Sequence, residues 1–309
     1  MIKRMNIVTY NVFGTLDEKK YIKLRQKYII DEIFKNNIPD VIWLQEATKP
    51  IIDAIMKKLP KYFLWTKLDT IKKISDKDKN ILLNDGYLVI ISKWKFKKKN
   101  LIYKGSFYDD GILNVIVDSK NDLGKNISIY NVHTSGGTFG KSKEVKLKKQ
   151  MNRINELKLL YKALVKDKSD NVLIMGDFNM DSNDMKHYPE LKFSPEYKFK
   201  NIHDVWKSIK PKMIGATEDE FINTFRSAMK IKKRVDKRKA RYDKILYKGE
   251  EIKPSKIKLI GNKKINKKVK VKGKNELGIK KEKLAFLFPS DHFGLYTEFK
   301  IKKNWKINY

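Results

Sequence analysis

Hydrophobic and polar positions along this chain fall into short apolar runs, each closed by a polar residue, with stretches of helical spacing between them. MNIVTYNV (5–12) alternates apolar and polar side chains, the period of a strand. PDVIWLQEA (39–47) is an apolar run after a proline and predicts a buried strand. GYLVIIS (86–92), GILNVIVDS (111–119), NISIYNVHTS (126–135) and NVLIMGDFN (171–179) predict four more, separated by turn residues. ARYDKILYKG (240–249), KIKLIG (256–261) and HFGLYTEFKI (292–301) complete the set. The spacing predicts helices over 17–36, with Tyr21, Leu24, Tyr28 and Phe34 along it, and over 48–59. A third runs over 142–166, with Leu147, Met151, Ile154, Leu157, Tyr161 and Leu164 on one face. Strands interleaved with helices predict two packed sheets with helices outside, an α/β sandwich. Two polar segments, 69–85 and the Lys-rich 261–283, read as insertions or long loops, the second of them mobile.

Composition narrows the chemistry. With 309 residues and 41% hydrophobic content, the chain can build one large core, so 1–309 is expected to be a single domain and a monomer. Cys is absent, which excludes disulfides, thiolate zinc sites and cysteine nucleophiles. There is no 18-residue apolar run, and the start reads as a strand, so an intracellular protein is expected, in nucleus or cytoplasm. The net charge of +34 points to a polyanionic partner, nucleic acid or an acidic lipid surface. Lys supplies nearly all of it and Ile and Asn abound, which an AT-rich genome would also produce.

The informative pattern is the polar end of each apolar run. The first ends at Asn11 and the second at Glu46; ISIYNVH ends at His133; VLIMGDFN ends at Asp177 and Asn179. Asp243 opens a later run, and Asp291 and His292 precede the last. Singly, each has a plainer explanation, because Asn and Asp are common in turns and Glu46 suits the start of a helix. Together, strand ends converging on one rim would hold a precise site. Two of the four histidines, His133 and His292, fall at these ends. Glu46, with Asn11 and Asp291, offers hard oxygen ligands suited to Mg²⁺ or Mn²⁺. His133, Asn179 and His292 suit phosphate oxygens gaining charge. Asp177 is the natural base for water, and Asp243 or Asp291 would hold His292 in one tautomer. The set predicts metal-assisted phosphoester hydrolysis by water.

TYNVFG, LQEA, NVHTSG, GDFN, RYDKI and SDHFGL, in this order, resemble the endonuclease/exonuclease/phosphatase superfamily. The resemblance runs from about residue 5 to 300. It implies a four-layer, DNase I-like α/β sandwich with a Mg²⁺ site at the sheet rim. The segments IHDVWKSIKPK, NTFRS, ARYDKILYKGEEIKPSKIKLIG and FPSDHFGLYTEF are most similar to its 5′-tyrosyl-DNA phosphodiesterase branch. That branch implies hydrolysis of the bond between a protein tyrosine and a 5′ DNA phosphate, with RNA as a further substrate class.

By the resemblance, Asn11 and Glu46 help bind the metal, Asp177 is the catalytic acid/base and Asn179 lies beside the phosphate. His133 and His292 contact phosphate and Asp243 orients His292. Phe225 and Tyr242 line a DNA groove, with Arg241, Thr134 and Ser135 as further substrate contacts. The chain departs from the branch at Phe13, where an acid is usual, at Thr134-Ser135-Gly136, and at Phe225, where Trp is usual. A DNase-like or abasic-site endonuclease, or a phosphoesterase acting on inositol phosphates or sphingolipids, are the alternatives on the same fold. The basic run KIKKRVDKRKARYD (230–243) is a candidate contact for nucleic-acid backbone.

Overall fold

The computed structural model describes residues 3–13, 19–70, 86–105, 110–136, 142–181, 201–229, 237–274 and 280–302. The chain opens with β1 (Lys3–Asn11), α1 (Lys19–Phe34), β2 (Val41–Ala47), α2 (Lys49–Lys58), β3 (Phe63–Thr66) and β4 (Tyr87–Ser92). Then come β5 (Phe96–Tyr103), β6 (Gly111–Val117), the short α3 (Lys120–Leu123), β7 (Ile127–His133), α4 (Lys143–Lys166) and β8 (Asn171–Asp177). The second half holds β9 (His203–Asp204), α5 (Val205–Ile209), β10 (Glu218–Asp219), α6 (Thr224–Met229), β11 (Lys239–Ala240) and β12 (Asp243–Lys248). It ends with β13 (Ile252–Ile260), β14 (Lys268–Lys274), β15 (Lys280–Phe286) and β16 (Gly294–Ile301).

Two mixed six-stranded sheets carry the fold, ordered β13-β16-β1-β2-β4-β3 and β5-β6-β7-β8-β12-β9. Alternation along β1 explains the layering. Met5 and Ile7 face the second sheet, where they join Trp43, Leu113, Leu173, Met175 and Ile245 in one core. Val8 and Tyr10 face the other way, against Ile29, Ile33, Ile52 and Ile55 of α1 and α2. The outer face of the second sheet packs Tyr130, Val132 and Ile174 on Ile154, Leu157 and Leu160 of α4. The result is the expected α/β/β/α sandwich, and each buried Leu or Ile contributes about 1.5–3 kcal/mol. No described helix is long and apolar enough to cross a membrane.

Two expectations change. In α4, Leu147, Met151 and Tyr161 are exposed, while Gln150 and Glu156 are buried beside Ile154, Leu157, Leu160 and Leu164. The helix is turned so that Glu156 accepts hydrogen bonds from Ser135 N (2.8 Å) and Ser135 Oγ (2.6 Å). The Lys-rich segment is not an irregular loop where it is described. β14 and β15 pair as an antiparallel hairpin. Val269, Val271 and Ala285 pack on Phe225, Leu287, Phe288 and Phe293. Residues 275–279, and 71–85 of the other expected loop, lie outside the described residues.

Between the sheets the filling turns from apolar to polar toward one end. Gln45 on β2 donates to Asn131 Oδ1 on β7 (2.8 Å), and Asn131 donates to the carbonyls of Leu44 (3.2 Å) and Val89 (2.7 Å). This bridge ties the sheets one layer below the rim. Replacing Asn131 by Ala leaves Gln45 Nε2 with Thr9 Oγ1 alone (3.3 Å) and takes a donor from two buried carbonyls, which costs about 2 kcal/mol or more. Urea unfolding of Asn131→Ala is expected to show a lowered midpoint with an unchanged slope; a midpoint equal to wild type would show that the bridge does not hold the sheets.

Candidate active site

Register builds the site. Across the second sheet, β7 pairs with β8 so that His133 lies opposite Asp177, and β8 pairs with β12 so that Asp177 lies opposite Asp243. Three strand ends therefore place His133, Asp177 and Asp243 in one row. The first sheet supplies Asn11, opposite Gln45, at the end of β1. Glu46 comes from an irregularity: the β2–β4 register shifts between Leu44 and Ala47, and Glu46 has φ +54°. Gly86 makes room, since a Cβ there would lie 2.5 Å from Glu46 Cα. Ser290 Oγ donates to Asn11 O (2.7 Å), drawing the Asp291-His292 segment onto the end of β1.

Asp177 is the hub. It is buried, and its Oδ1 accepts from Asn179 N (2.7 Å) in a tight turn at φ +47° for Asn179. Its Oδ2 accepts from Asn11 Nδ2 (3.1 Å) and lies 3.7 Å from His133 Nε2 and 3.8 Å from His292 Nε2. Asn11 Nδ2 also donates to Glu46 Oε1 (3.0 Å), which is 3.9 Å from His133 Nε2. His292 Nδ1 meets Asp243 Oδ2 at 2.8 Å, so of the two carboxylates open as tautomer-holder, Asp243 is the one in contact. Phe178 turns away from the rim into the α4 core.

Electrostatics follow from this crowding. Burial alone would lower the pKa of His292, but Asp243, Asp177 and Asp291 outweigh it and raise the group well above its ordinary 6.5. Burial pushes Asp243 up from its ordinary 3.8, with His292 opposing and Asp177 adding.

Among the described residues, Asp177, Asp243 and His292 each offer a ligand atom within 4.8 Å of the others. With Glu46 and Asn11 alongside, the donors are oxygen-rich and lack thiolate. Two carboxylates already converge on the single Asn11 Nδ2. Residues of this kind fit a hard divalent cation.

The other expected residues are placed differently. Asp291 Oδ2 lies 2.6 Å from Arg226 Nη1, so this carboxylate is held by a guanidinium and stands outside the Asp177–Asp243–His292 group. Phe225 is fully buried beneath the β14–β15 hairpin, where no base can stack on it. Arg241 is buried, with Nη2 2.6 Å from Asp204 Oδ2, whose other oxygen caps α5. Thr134 donates to Phe178 O, and Ser135 is committed to Glu156, so both are braces of the loop after β7. Asn179 Nδ2 donates to Thr134 O (2.9 Å), against Gly136, where a Cβ would lie 2.4 Å from Asn179 Oδ1. Tyr242 is buried with its ring 6.3 Å from that of His292 and the Arg238 guanidinium 5.4 Å from its centre. Of the basic run, 230–236 lies outside the described residues.

Pattern reading missed the supports. Thr217 Oγ1 accepts from Tyr242 N (3.1 Å) and Asp243 N (3.0 Å), and Phe293 N donates to Thr217 O (2.7 Å). Arg226 Nε also donates to the buried Glu218 Oε2 (2.7 Å). Arg25 donates to the carbonyls of Pro289 (2.8 Å) and Val12 (2.8 Å). Apart from Arg226–Glu218, eight residues apart, these contacts join residues 13 or more apart in the chain; the one local signal is the acidic run ATEDE (216–220).

The profile of the Endonuclease/Exonuclease/phosphatase family matches residues 8–292. No curated protein matches the chain by sequence. Solved structures are similar in fold at low identity. A humanised D. rerio TDP2 carrying 14 mutations is 18% identical, covering 96% of this chain and 98% of that one, with a TM-score of 0.66. D. rerio TDP2 complexed with single-strand DNA product is 18% identical, covering 96% and 99%, with a TM-score of 0.65. The human Nocturnin catalytic domain with bound sulfate is 15% identical, covering 97% and 94%, with a TM-score of 0.57.

Two outcomes test this geometry. A histidine raised as His292 is contributes stability that is complete below about 6.5 and is lost as pH rises through its folded value. NMR titration of the His292 ring is expected to find it protonated well above its ordinary pKa, and Asp243→Asn is expected to lower the midpoint. The stability gap between wild type and Asp243→Asn then narrows as pH rises; an unmoved midpoint contradicts the pairing. Gly86→Ala pushes on the Glu46 backbone, so calorimetry is expected to find Mn²⁺ bound about tenfold or more weakly, the scale of a displaced ligand support. Wild-type affinity in Gly86→Ala would show that the bulge does not set Glu46.

Proposed function

The chain belongs to the endonuclease/exonuclease/phosphatase family, metal-dependent hydrolases of phosphoester bonds, and we propose that this member releases tyrosyl adducts from the 5′ ends of nucleic acid. The substrate is a DNA 5′ end carrying a protein or peptide through tyrosine, with RNA ends as the nearest variant. The enzyme acts as an intracellular monomer. The observation that carries the reading is the ring of nitrogen donors around Asp177 Oδ2, from Asn11, His133 and His292, beside Glu46. The structure of D. rerio TDP2 with single-strand DNA product adds support through its shared fold.

Glu46 would hold the cation, Mg²⁺ or Mn²⁺, with Asn11 through Oδ1, the oxygen that also accepts from Phe13 N; the cation's chemistry when bound is to neutralise phosphate charge as a Lewis acid. Asp177 Oδ2 orients water and takes its proton. Asn179 N fixes Asp177 through the other oxygen, so the basic oxygen keeps its direction. His292 stays protonated against Asp243, and with His133 it donates to the non-bridging oxygens as they gain charge. Asn179 adds its amide beside the phosphate. A tyrosyl phenolate, with a pKa of about 10, leaves without a strong general acid. That suits a site whose spare acid, Asp291, is bound to Arg226.

One observation favours a second reading, a general nuclease of the same fold. Phe225, Arg241, Thr134 and Ser135 are all buried, so the substrate contacts expected of the tyrosyl branch are not on the surface.

A panel of substrates separates the readings. With Mg²⁺, a 5′-phosphotyrosyl oligonucleotide is expected to yield a 5′-phosphate end, while an abasic duplex, an unmodified strand and an inositol phosphate stay intact. EDTA is expected to stop the reaction. Internal cleavage of the unmodified strand or of the abasic duplex would replace this reading with the second. Asp177→Asn is expected to lose at least about 10³-fold in kcat, equivalent to about 4 kcal/mol, with unfolding unchanged; a retained rate would remove Asp177 from its role.

A further inference from the structure

The β14–β15 hairpin is built with two unlike faces. Val269 and Val271 are buried against the Phe225 cluster, while Lys268, Lys270 and Lys272 alternate with them and are exposed. Across the ladder these lysines pair with Phe286, Leu284 and Glu282. The outer face is thus a row of three lysines beside Phe286 and Leu284, with Glu282 across from Lys272. Leu284 is 65% exposed, which a core would not allow. The Phe286 ring carries Lys264 Nζ at 4.0 Å and Lys268 Nζ at 5.1 Å. Ten lysines and two glutamates fall in 261–283, so this short segment holds a large share of the net charge of +34. Neither Lys270 nor Lys272 makes an ion pair with a described residue.

Its position is tied to the site. β15 ends at Phe286, and Leu287 to Asp291 lead straight to His292. Six residues span at most about 20 Å. The inner face packs on Phe225 of α6, and Arg226 of the same helix holds Asp291. The lysines at alternate positions of β14 stand about 6.8 Å apart along the strand. That is twice the 3.4 Å rise of one nucleotide in a stacked strand.

We propose that the outer face of the β14–β15 ribbon is a second contact surface for nucleic acid, binding backbone phosphates of the strand several nucleotides beyond the end held at Asp177 and His292. This rests on the reading that the substrate is a nucleic-acid end. Lysines supply charge to the phosphates, and Leu284 and Phe286 supply apolar surface to sugars and bases, the combination that binds single strands without regard to sequence. Lysines on a two-stranded ribbon also discourage edge pairing, and a basic face also attracts acidic lipid. Both predict a different result below.

The test compares wild type with Lys268→Gln/Lys270→Gln/Lys272→Gln, and with the single reversal Lys270→Glu. All three positions are exposed, so both variants are expected to melt as wild type does. Fluorescence anisotropy would follow a plain single strand of about 20 nucleotides and one of about four, across salt. The long strand is expected to bind the triple variant about tenfold or more weakly, with the log Kd against log salt slope flatter by about 2, from 0.7 for each of three lysines. The short strand is expected to lose less affinity than the long one, because about four nucleotides cover fewer of the three lysines. Equal affinity and slope on the long strand overturn the proposal, as does a loss confined to phosphatidylserine vesicles. Cleavage of a phosphotyrosyl four-mer reports on the proposed function alone. If no end is cleaved, that function falls, while the binding comparison still decides the ribbon.

Discussion

A carboxylate buried at the end of a central strand must be compensated, and Asp177 imposes that demand on everything around it. An unpaired buried charge costs several kcal/mol. Here one oxygen takes a backbone N–H from Asn179, and the other faces Asn11, His133 and His292. Those four partners come from both sheets and from the loop before β16. The demand therefore fixes register as well as charge. Sliding β7 by one residue along β8 would turn His133 to the opposite face and leave Asp177 short of a partner. His292 in turn needs Asp243, which needs Thr217 on its backbone. The site is a chain of buried polar groups in which each is the condition for the next.

Backbone conformation takes part of the load. Among the described residues, four besides glycine have positive φ, and three of them, Phe13, Glu46 and Asn179, are at this rim. Such positions cost of order 1–3 kcal/mol and persist only where surroundings over-determine them. Phe13 N donates to Asn11 Oδ1, which turns the Asn11 amide nitrogen toward the two carboxylates. Gly176, at φ +131°, lies so close to Val132 O that a Cβ would sit 1.9 Å from it. Close approach of β7 and β8 at their ends is thus written into a single glycine.

Outside this rim the chain separates charge from structure. The interior between the sheets is held by apolar side chains and the Gln45–Asn131 bridge. Of the arginines near the site, Arg25, Arg226 and Arg241 act as internal braces, bonded to carbonyls or to Asp291 and Asp204. The lysines of the β14–β15 ribbon stand on the outside of a packed hairpin, available to a partner. Arg suits the first task through its fork of donors, and Lys suits the second as a mobile point charge.

Local pattern was enough for nine of the twelve strands in the two sheets, the three long helices and the residues of the rim. Period-two and period-3.6 patterns are local, and a polar residue closing an apolar run is visible without neighbours. Asn11, Glu46, His133, Asp177, Asn179, Asp243 and His292 were legible for that reason. Short or edge strands such as β3 and the Lys-rich β5 were not, because they bury too little to leave a period. Tertiary structure alone decided which motif residues face outward. Phe225, Arg241, Thr134 and Ser135 sit beside the motifs yet are buried, and Asp291 is drawn to Arg226 across 65 positions of chain. The Lys-rich 261–283 had the composition of a loose loop, but alternate valines gave its described strands a face to bury. Adjacency in sequence fixes which groups are near a site; solvent exposure and long-range pairing depend on packing, which no local pattern records.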